Sequence, residues 1–187
     1  MKIIDMRFDD VVIEQLNKMI GEEFYYYKFD PYQYLNERHM TVEFNVAGKK
    51  YALINQEEVV DYFGEEINMT VMHFLNDPDE NYEYGCEHFD INAKINKVDI
   101  IDENQKLLDK KGNILYDVYL TRGLIFYIKH YELSFQKQVI PYVPEIIPDL
   151  GFLLVKTFKP STYYNKKNYT NSFKCVQHIR RLGYNND

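Results

Sequence analysis

Hydrophobic and polar residues alternate most regularly between Asn113 and Phe135, and this stretch predicts the centre of a sheet. Every second residue from Ile114 to Leu120 is aliphatic or aromatic, as the two-residue period of a strand requires. A second run, from Leu124 to Lys129, continues the pattern. Gly123 separates the two runs and is the residue best able to adopt the positive φ of a tight reversal. We therefore expect two long central strands joined at Thr121–Gly123.

Shorter alternating runs predict further strands. The clearest hairpin consists of His39–Val46, a turn at Ala47–Lys49 and a return along Tyr51–Ile54. Turn-forming residues at Asp102–Gln105 and Asp109–Asn113 connect the later strands, which indicates an antiparallel meander. The remaining predicted strands are Ile67–Leu75, Phe89–Ile101 and Phe152–Phe158.

Helical spacing of apolar residues, together with capping residues, predicts a few short helices. The first spans Asp9–Gly21, with aspartates at its start and glycine after its end. A capping-box pattern starts a second helix in Asn55–Gly64, and an apolar stripe predicts a third within Thr170–Gly183. Asp30–Pro31 resembles a further helix start, whereas the prolines of Val139–Gly151 predict an irregular crossover.

These elements predict an α+β fold, an antiparallel, meander-like β-sheet flanked by a few short helices. A chain of 187 residues fits one domain, residues 1–187. The two cysteines lie far apart in sequence, which favours free thiols in a reducing compartment. Neither a signal peptide nor an apolar stretch near 18 residues is present, so we expect a cytoplasmic protein without membrane contact.

Charge divides the chain into two parts. Residues 1–149 have a net charge of −13, whereas the basic, aromatic C-terminal segment, residues 150–187, has a net charge of +6. Such an asymmetric charge distribution gives information about the binding partners of a protein rather than about its fold. Cations beside aromatic rings are what sequence-tolerant RNA or single-stranded DNA binding needs, although pairing with the acidic part of this chain or of a second copy is an open alternative. The candidate residues are Lys156, Lys159, Tyr163, Tyr164, Lys166, Lys167, Tyr169, Lys174, Arg180 and Arg181.

The most acidic loop runs from Asn76 to Asp90 and contains no Lys or Arg. Its carboxylates can imitate a row of phosphates on a basic groove of another protein, bind a hard cation, or remain solvated. The six candidates are Asp77, Asp79, Glu80, Glu83, Glu87 and Asp90.

Thiol and imidazole groups raise the question of a metal site. Cys86 and His88 with Cys175 and His178 would supply four tetrahedral zinc ligands, but their spacing matches no established motif. We therefore predict no metal and no cofactor. His73 is expected to be a strand-end or partly buried histidine.

Aromatic residues are concentrated in Phe24–Tyr34, where seven of eleven residues are aromatic. Only Lys28 supplies a cation there, which favours packing or a homodimer contact over base stacking. We predict a homodimer.

No P-loop, GxGxxG, GxSxG, HExxH or paired CxxC motif is present. We therefore favour a non-catalytic binding protein, a phage- or mobile-element-type inhibitor (an anti-defence or immunity protein) that docks on a host nucleic-acid enzyme or nucleoprotein. The richness in Lys, Asn and Tyr, residues with A/T-rich codons, fits such an origin. The alternative is an RNA- or single-stranded-DNA-binding nuclease or RNA-processing enzyme, with acid–base chemistry from His88, Asp90, His130 and His178.

Overall fold

One large curled β-sheet dominates the computed structural model, which describes residues 1–29, 41–62, 64–78, 88–129, 131–137, 146–151 and 172–184. About three quarters of the described residues are in strands, and one helix, α1, spans Asp10–Met19. The strands are β1 (Lys2–Met6), β2 (Glu23–Phe29), β3 (Thr41–Val46), β4 (Lys49–Tyr62), β5 (Glu65–Asn76), β6 (His88–Leu108), β7 (Ile114–Ile128), β8 (Tyr131–Lys137), β9 (Ile146–Gly151) and β10 (Ser172–Leu182).

A long antiparallel hairpin, β6 with β7, is the frame on which the other strands pair. The main order is β5-β4-β3-β2-β6-β7-β8-β9. The outer edge of β6 is shared, since β2 pairs with its first part and β10 with its second. The outer edge of β7 is shared in the same way by β1, which runs parallel to it, and by β8.

The sheet curls into a half-barrel whose interior is aromatic. Phe44 on β3 and Phe135 on β8 stack with ring centroids 6.2 Å apart, although three strands separate β3 from β8 in the sheet. The helix α1 covers this core with Leu16 and Met19, both almost fully buried. No helix in the described ranges has the length and hydrophobicity needed to cross a bilayer.

Local sequence patterns are confirmed where a cap or a turn fixes the backbone. The Asp9 carboxylate accepts the Val12 amide hydrogen at the start of α1, and Gly21 adopts a φ of 89° just after its end. The β3–β4 hairpin turns through Ala47 and Gly48, both with positive φ as a tight two-residue hairpin turn requires. The Asp109 carboxylate accepts backbone hydrogen bonds in the predicted β6–β7 turn.

The predicted α+β fold is wrong, because the chain is mostly β and its sheet mixes parallel and antiparallel pairs. Two predicted helices are strands: Asn55–Gly64 continues β4 to the hairpin turn, and residues 172–182 form β10. In both cases continuous pairing with a neighbouring strand overrides a local helical pattern.

The predicted reversal at Thr121–Gly123 is also wrong. The strand β7 runs straight through this sequence, and Gly123 has no positive φ. The pairing of β6 with β7 shifts between Ile101 and Asp102 and leaves Arg122 opposite no residue, which is the geometry of a β-bulge. A bulge re-aims side chains without reversing the chain, so one strand replaces the two that the alternation predicted.

Two further predictions fail because apparent breakers are accommodated in the sheet. The predicted turn at Asp102–Gln105 lies inside β6. Residues 146–151, predicted to be irregular, form β9 and pair with β8. Among the described strands β8 is the only neighbour of β9, so Pro148 lies on an edge strand. The predicted strand Phe152–Phe158 and helix start Asp30–Pro31 lie outside the described residues.

Candidate binding surface

The outer half of the β4–β5 hairpin carries a dense set of exposed acidic side chains. We call this part the acidic arm and define it as residues 57–62 of β4 and 65–70 of β5. From Tyr51 to Ala93 the sequence contains eleven acidic residues and no Lys or Arg, a stretch longer than the acidic loop alone. The carboxylates of the arm are Glu57, Glu58, Asp61, Glu65 and Glu66.

Strand register places several of these carboxylates on one face of the arm. Asp61 pairs with Glu66 across the hairpin, and Glu57 and Val59 share their face by alternation. Val59 is 70% exposed, the largest apolar exposure among the described side chains of this hairpin. Like charges directly opposite each other destabilise a strand pair, so stability alone gives no reason for this arrangement.

The other face of the arm packs against β7 and β1. Met69 with Val60 and Ile67 contacts a small apolar cluster around Val118 and Leu120. At the tip, the Lys2 ammonium lies 2.6 Å from the Asp61 carboxylate, and this contact is the main cause that holds the pKa of Asp61 below its usual value. The arm is thus held on one face and at its tip, whereas Glu57, Val59 and Glu66 on the opposite face are exposed.

Neutralisation of the arm is only partial. Asp61 pairs with Lys2, and the Glu58 carboxylate lies 2.9 Å from Nε2 of His73, a partly buried histidine as predicted. Within the described part of the chain, the exposed side chains of Glu57, Glu65 and Glu66 have no ion pair. The arm therefore presents net negative charge.

The acidic loop is described only at its ends. Asp77 follows β5 directly and Asp90 lies near the start of β6, and both side chains are exposed. The predicted positions Asp79, Glu80, Glu83 and Glu87 lie outside the described residues, as does Cys86.

Seven of the predicted basic-segment residues also lie outside the described ranges, namely Lys156, Lys159, Tyr163, Tyr164, Lys166, Lys167 and Tyr169. The other three lie on β10. The Arg180 guanidinium pairs with the Asp102 carboxylate, with Nε 2.5 Å from Oδ2, and Nη1 donates to the backbone oxygen of Phe8 at 3.0 Å. Burial raises the pKa of Asp102, and the hydrogen bond from Arg180 opposes this shift. Arg180 therefore compensates an internal acid, as the self-pairing interpretation expects.

Lys174 and Arg181 are exposed, but they point to opposite faces of β10 because their numbers differ by an odd count. The Arg181 guanidinium lies 5.7 Å from the ring centroid of Tyr184. In the described part of β10, the cations therefore do not form one phosphate-binding surface.

A shallow cleft of about 490 Å³ lies on the Lys174 side of this part of the sheet. Its cations are matched by carboxylates, since Arg7 pairs with Asp5 at 2.5 Å and Lys106 with Asp117 at 3.2 Å. Such a balanced lining does not favour a polyanion.

A larger cavity, of about 810 Å³, lies between α1 and the β3–β4 turn. Lys18, Lys49 and Lys50 line it together with Glu22 and Asp77. This mixture of signs selects no ligand charge.

The predicted acid–base residues are not brought together. Asp90 lies in the part of β6 that pairs with β2, whereas His178 pairs with Asp102, twelve residues further along the same strand. Twelve residues of strand span about 40 Å. His88 is further still from His178, and His130 lies outside the described residues.

The same separation rules out His88 as a partner of Cys175 and His178 around one zinc ion. Cys175 and His178 moreover lie on opposite faces of β10, because they are three residues apart. Across the described ranges, no group of His, Cys, Asp and Glu side chains is arranged to hold a metal.

The aromatic run contributes to the core. Phe24 and Tyr27 are buried, and Phe24 stacks on Phe44 with centroids 5.7 Å apart. Packing is thus confirmed for these two residues, while the predicted homodimer stays a prediction.

A cluster of buried charged side chains was not predicted from the sequence. The Arg122 guanidinium at the β-bulge pairs with the Glu103 carboxylate, whose second oxygen accepts a hydrogen bond from Gln105 at 3.2 Å. The Lys137 ammonium donates to the backbone oxygen of Thr70. We call Glu103, Arg122 and Lys137 the buried charge cluster. Its members are distant in sequence, so no local pattern pointed to it.

We expect Arg180→Met to lower the free energy of unfolding by about 2 kcal/mol, because it leaves the Asp102 carboxylate buried without its cation. Partial exposure of Arg180 keeps the effect below that of a fully buried pair. Urea denaturation measures this change. Lys174→Met, on the same strand and exposed, is the control and should change stability by less than about 0.5 kcal/mol. Equal effects of the two substitutions would contradict the pairing.

The described surface thus combines an exposed acidic arm with a basic strand, β10, in which Arg180 is paired with an internal acid. Neither feature carries a catalytic arrangement within the described residues. Comparison with protein-family models found no match, and comparisons with curated proteins and with solved structures found no significant similarity.

Proposed function

We propose that this protein is a non-catalytic, inhibitor-type binding protein that docks through its acidic arm on the basic surface of a nucleic-acid enzyme or nucleoprotein. An anti-defence or immunity protein of a phage or mobile element is the class that fits best, acting in the cytoplasm. The observation that carries the proposal is the exposed set Glu57, Glu65 and Glu66, which has no ion pair within the described chain.

Electrostatics explains why such a surface suits docking. A surface of one charge sign attracts a partner of opposite sign and raises the association rate, and it disfavours partners of like sign. Glu57 and Asp61 share one face of β4 about 13 Å apart, and Glu66 pairs with Asp61 across the hairpin, so this face of the arm offers a short row of charges. The exposed Val59 adds apolar contact area beside that row.

The internal pairing of Arg180 supports the same choice. Since this cation already neutralises Asp102, the described part of the basic segment has less charge to offer a nucleic acid than the sequence indicates. Nucleic-acid binding remains the runner-up, carried by the exposed Lys174 and Arg181.

The proposal predicts salt-sensitive binding of a lysine- and arginine-rich peptide, used as a probe for a basic protein surface. We expect the triple variant Glu57→Gln, Glu65→Gln, Glu66→Gln to weaken this binding at least about 10-fold, because it removes three of the charges that attract the probe. Fluorescence anisotropy at low and at physiological salt measures the affinity.

The matched control neutralises three exposed carboxylates on and beside α1, by Asp10→Asn, Glu14→Gln and Glu22→Gln. This control has the same net charge as the arm variant, so it should keep most of the affinity if position matters. Equal losses of affinity in both variants would show that binding depends on the net charge of the protein and not on the position of the carboxylates. Tight binding of labelled single-stranded RNA, lost in Lys174→Glu, Arg181→Glu, would favour the runner-up instead.

A further inference from the structure

The strand β5 ends the sheet, so among the described strands it has a neighbour, β4, on one side only. Strand register shows which backbone groups face the other side. The backbone oxygen of Lys50 accepts the amide hydrogen of Asp77 at 3.0 Å, so the backbone groups of Lys50 face β5. This facing alternates along an antiparallel strand, and the uninterrupted register pairs even-numbered residues of β4 with odd-numbered residues of β5. The even-numbered residues of β5 therefore direct their N–H and C=O groups away from β4.

The contact between Lys137 and Thr70 supports this assignment independently. The Lys137 ammonium, at the end of β8, donates to the backbone oxygen of Thr70, an even-numbered residue of β5. That oxygen is thus available to a donor outside the β4–β5 ladder, as the register requires. Lys137 occupies the edge of β5 at Thr70, so within the acidic arm the outward backbone groups that remain are those of Glu66 and Asn68. We call the outward side of residues 65–69 the open edge of the arm.

The side chains along the open edge differ between the two faces of the arm. Glu66 and Asn68 are exposed and lie on the face that also carries Val59. Ile67 and Met69 lie on the opposite face, in the small apolar cluster against β7. Side chains of an added strand alternate between the same two faces. Such a strand would therefore meet a carboxylate on one face and apolar side chains on the other.

We propose that the open edge accepts an extended segment of the partner protein as an added antiparallel strand, in which lysines or arginines alternate with apolar residues. The backbone groups of Glu66 and Asn68 form the ladder hydrogen bonds with this segment. Its cations lie beside Glu66 on the exposed face, and its apolar side chains extend the cluster that contains Ile67. The inference rests on the proposed docking function and names the kind of segment that docks.

The glutamates at the open edge make strand addition selective. Charged side chains on an edge strand disfavour pairing with most other strands, including an acidic one. The edge of a second copy of this chain adds further negative charge, so self-association is disfavoured there. A basic strand reverses the sign of this interaction, and the same glutamates then attract it.

Two N-methylated versions of one peptide test whether the backbone takes part in binding. The parent peptide alternates lysine and valine, and it is methylated on the amides of its lysines in one version and of its valines in the other. In the proposed arrangement the lysine amides face β5 and the valine amides face away. Fluorescence anisotropy with the intact chain should show at least about 10-fold weaker binding for methylated lysines, and less than about 3-fold weaker binding for methylated valines. Both versions have the same charge and the same number of methyl groups.

Amide exchange with water, read residue by residue by NMR, locates the added strand. With parent peptide at about ten times its Kd, exchange of the Glu66 and Asn68 amides should slow about 10-fold, because the bound state protects them. The Ile67 amide, which faces β4, should exchange at an unchanged rate.

Equal affinities of the two methylated peptides would overturn strand addition, as would slower exchange of the Glu57 and Val59 amides in place of those of Glu66 and Asn68. In either case docking through the arm stands if the triple glutamine variant still weakens binding of the parent peptide. Failure of the parent peptide to bind at low salt would contradict docking itself, and strand addition with it.

Discussion

Phe44→Ala is expected to lower the free energy of unfolding by about 3–5 kcal/mol. Phe44 is fully buried on β3 and lies at the centre of the aromatic interior. Its substitution leaves a cavity that rings from both walls of the half-barrel line. The rings in contact with it belong to Phe24, Tyr51, Phe74, Phe126 and Phe135.

The reason for this large effect is the way the half-barrel closes. A flat sheet would bring Phe44 into contact only with adjacent strands, but here it reaches Phe135 across three intervening strands. Tyr25→Ala, at a position 38% exposed, is the control and should cost less than about 1 kcal/mol. Urea denaturation gives both values, and a loss near 1 kcal/mol for Phe44→Ala would show that the sheet is not curled around this ring.

Glu103→Gln is expected to cost about 3–5 kcal/mol, because the substitution keeps the shape of the side chain but leaves the buried Arg122 guanidinium without the carboxylate it pairs with. Arg122 is 8% exposed and Lys137 4% exposed, so water cannot take the place of Glu103. The exposed Glu57→Gln is the matched control and should change stability by less than about 0.5 kcal/mol.

Replacement of the whole buried charge cluster should cost less stability than replacement of Glu103 alone. The triple variant Glu103→Met, Arg122→Met, Lys137→Met eliminates the buried charges together, and we expect it to recover most of the stability that Glu103→Gln loses. Thermal and urea unfolding of the wild type, Glu103→Gln and the triple variant measure the three stabilities. A triple variant less stable than Glu103→Gln would mean that these side chains hold the fold by more than mutual charge compensation.

Elements fixed by short-range contacts could be predicted from the sequence. The Asp9 cap, Gly21 after α1, and the Ala47–Gly48 turn each depend on residues within a few positions, and each is found where expected. The β10 strand shows the limit of such patterns. Its apolar residues recur at helical spacing, yet eleven consecutive residues pair with β6, and this pairing is visible only when both strands are present.

The interior of β6 illustrates a second limit. Asp102, Glu103, Asn104 and Gln105 resemble a turn, but all four side chains are buried and three take part in ion pairs or hydrogen bonds with partners distant in sequence. A run of polar residues predicts a turn only if its side chains form their hydrogen bonds with water. Here arginines on β7 and β10 replace water for Asp102 and Glu103, and nothing local to β6 indicates that.

The candidate surface was found only in part from the sequence for a related reason. The density of carboxylates identifies the Asn76–Asp90 loop, whereas Glu57 and Asp61 lie in a predicted helix and Glu65 and Glu66 follow its end without a predicted role. Strand pairing brings these four together in the outer half of one hairpin. The buried charge cluster was missed entirely, since Lys137 and Thr70 are 67 residues apart.

Site-specific photo-crosslinking tests the docking claim most directly. A benzophenone amino acid at Val59, in the acidic arm, is compared with one at Val11 on α1, which is similarly exposed at 62% against 70%. In bacterial extract, we predict that Val59 crosslinks to basic, nucleic-acid-binding surfaces, that excess single-stranded nucleic acid suppresses these crosslinks, and that Val11 gives none of them. Crosslinks of the same partners from both positions, or crosslinks from Val59 that nucleic acid leaves unchanged, would contradict docking through the arm.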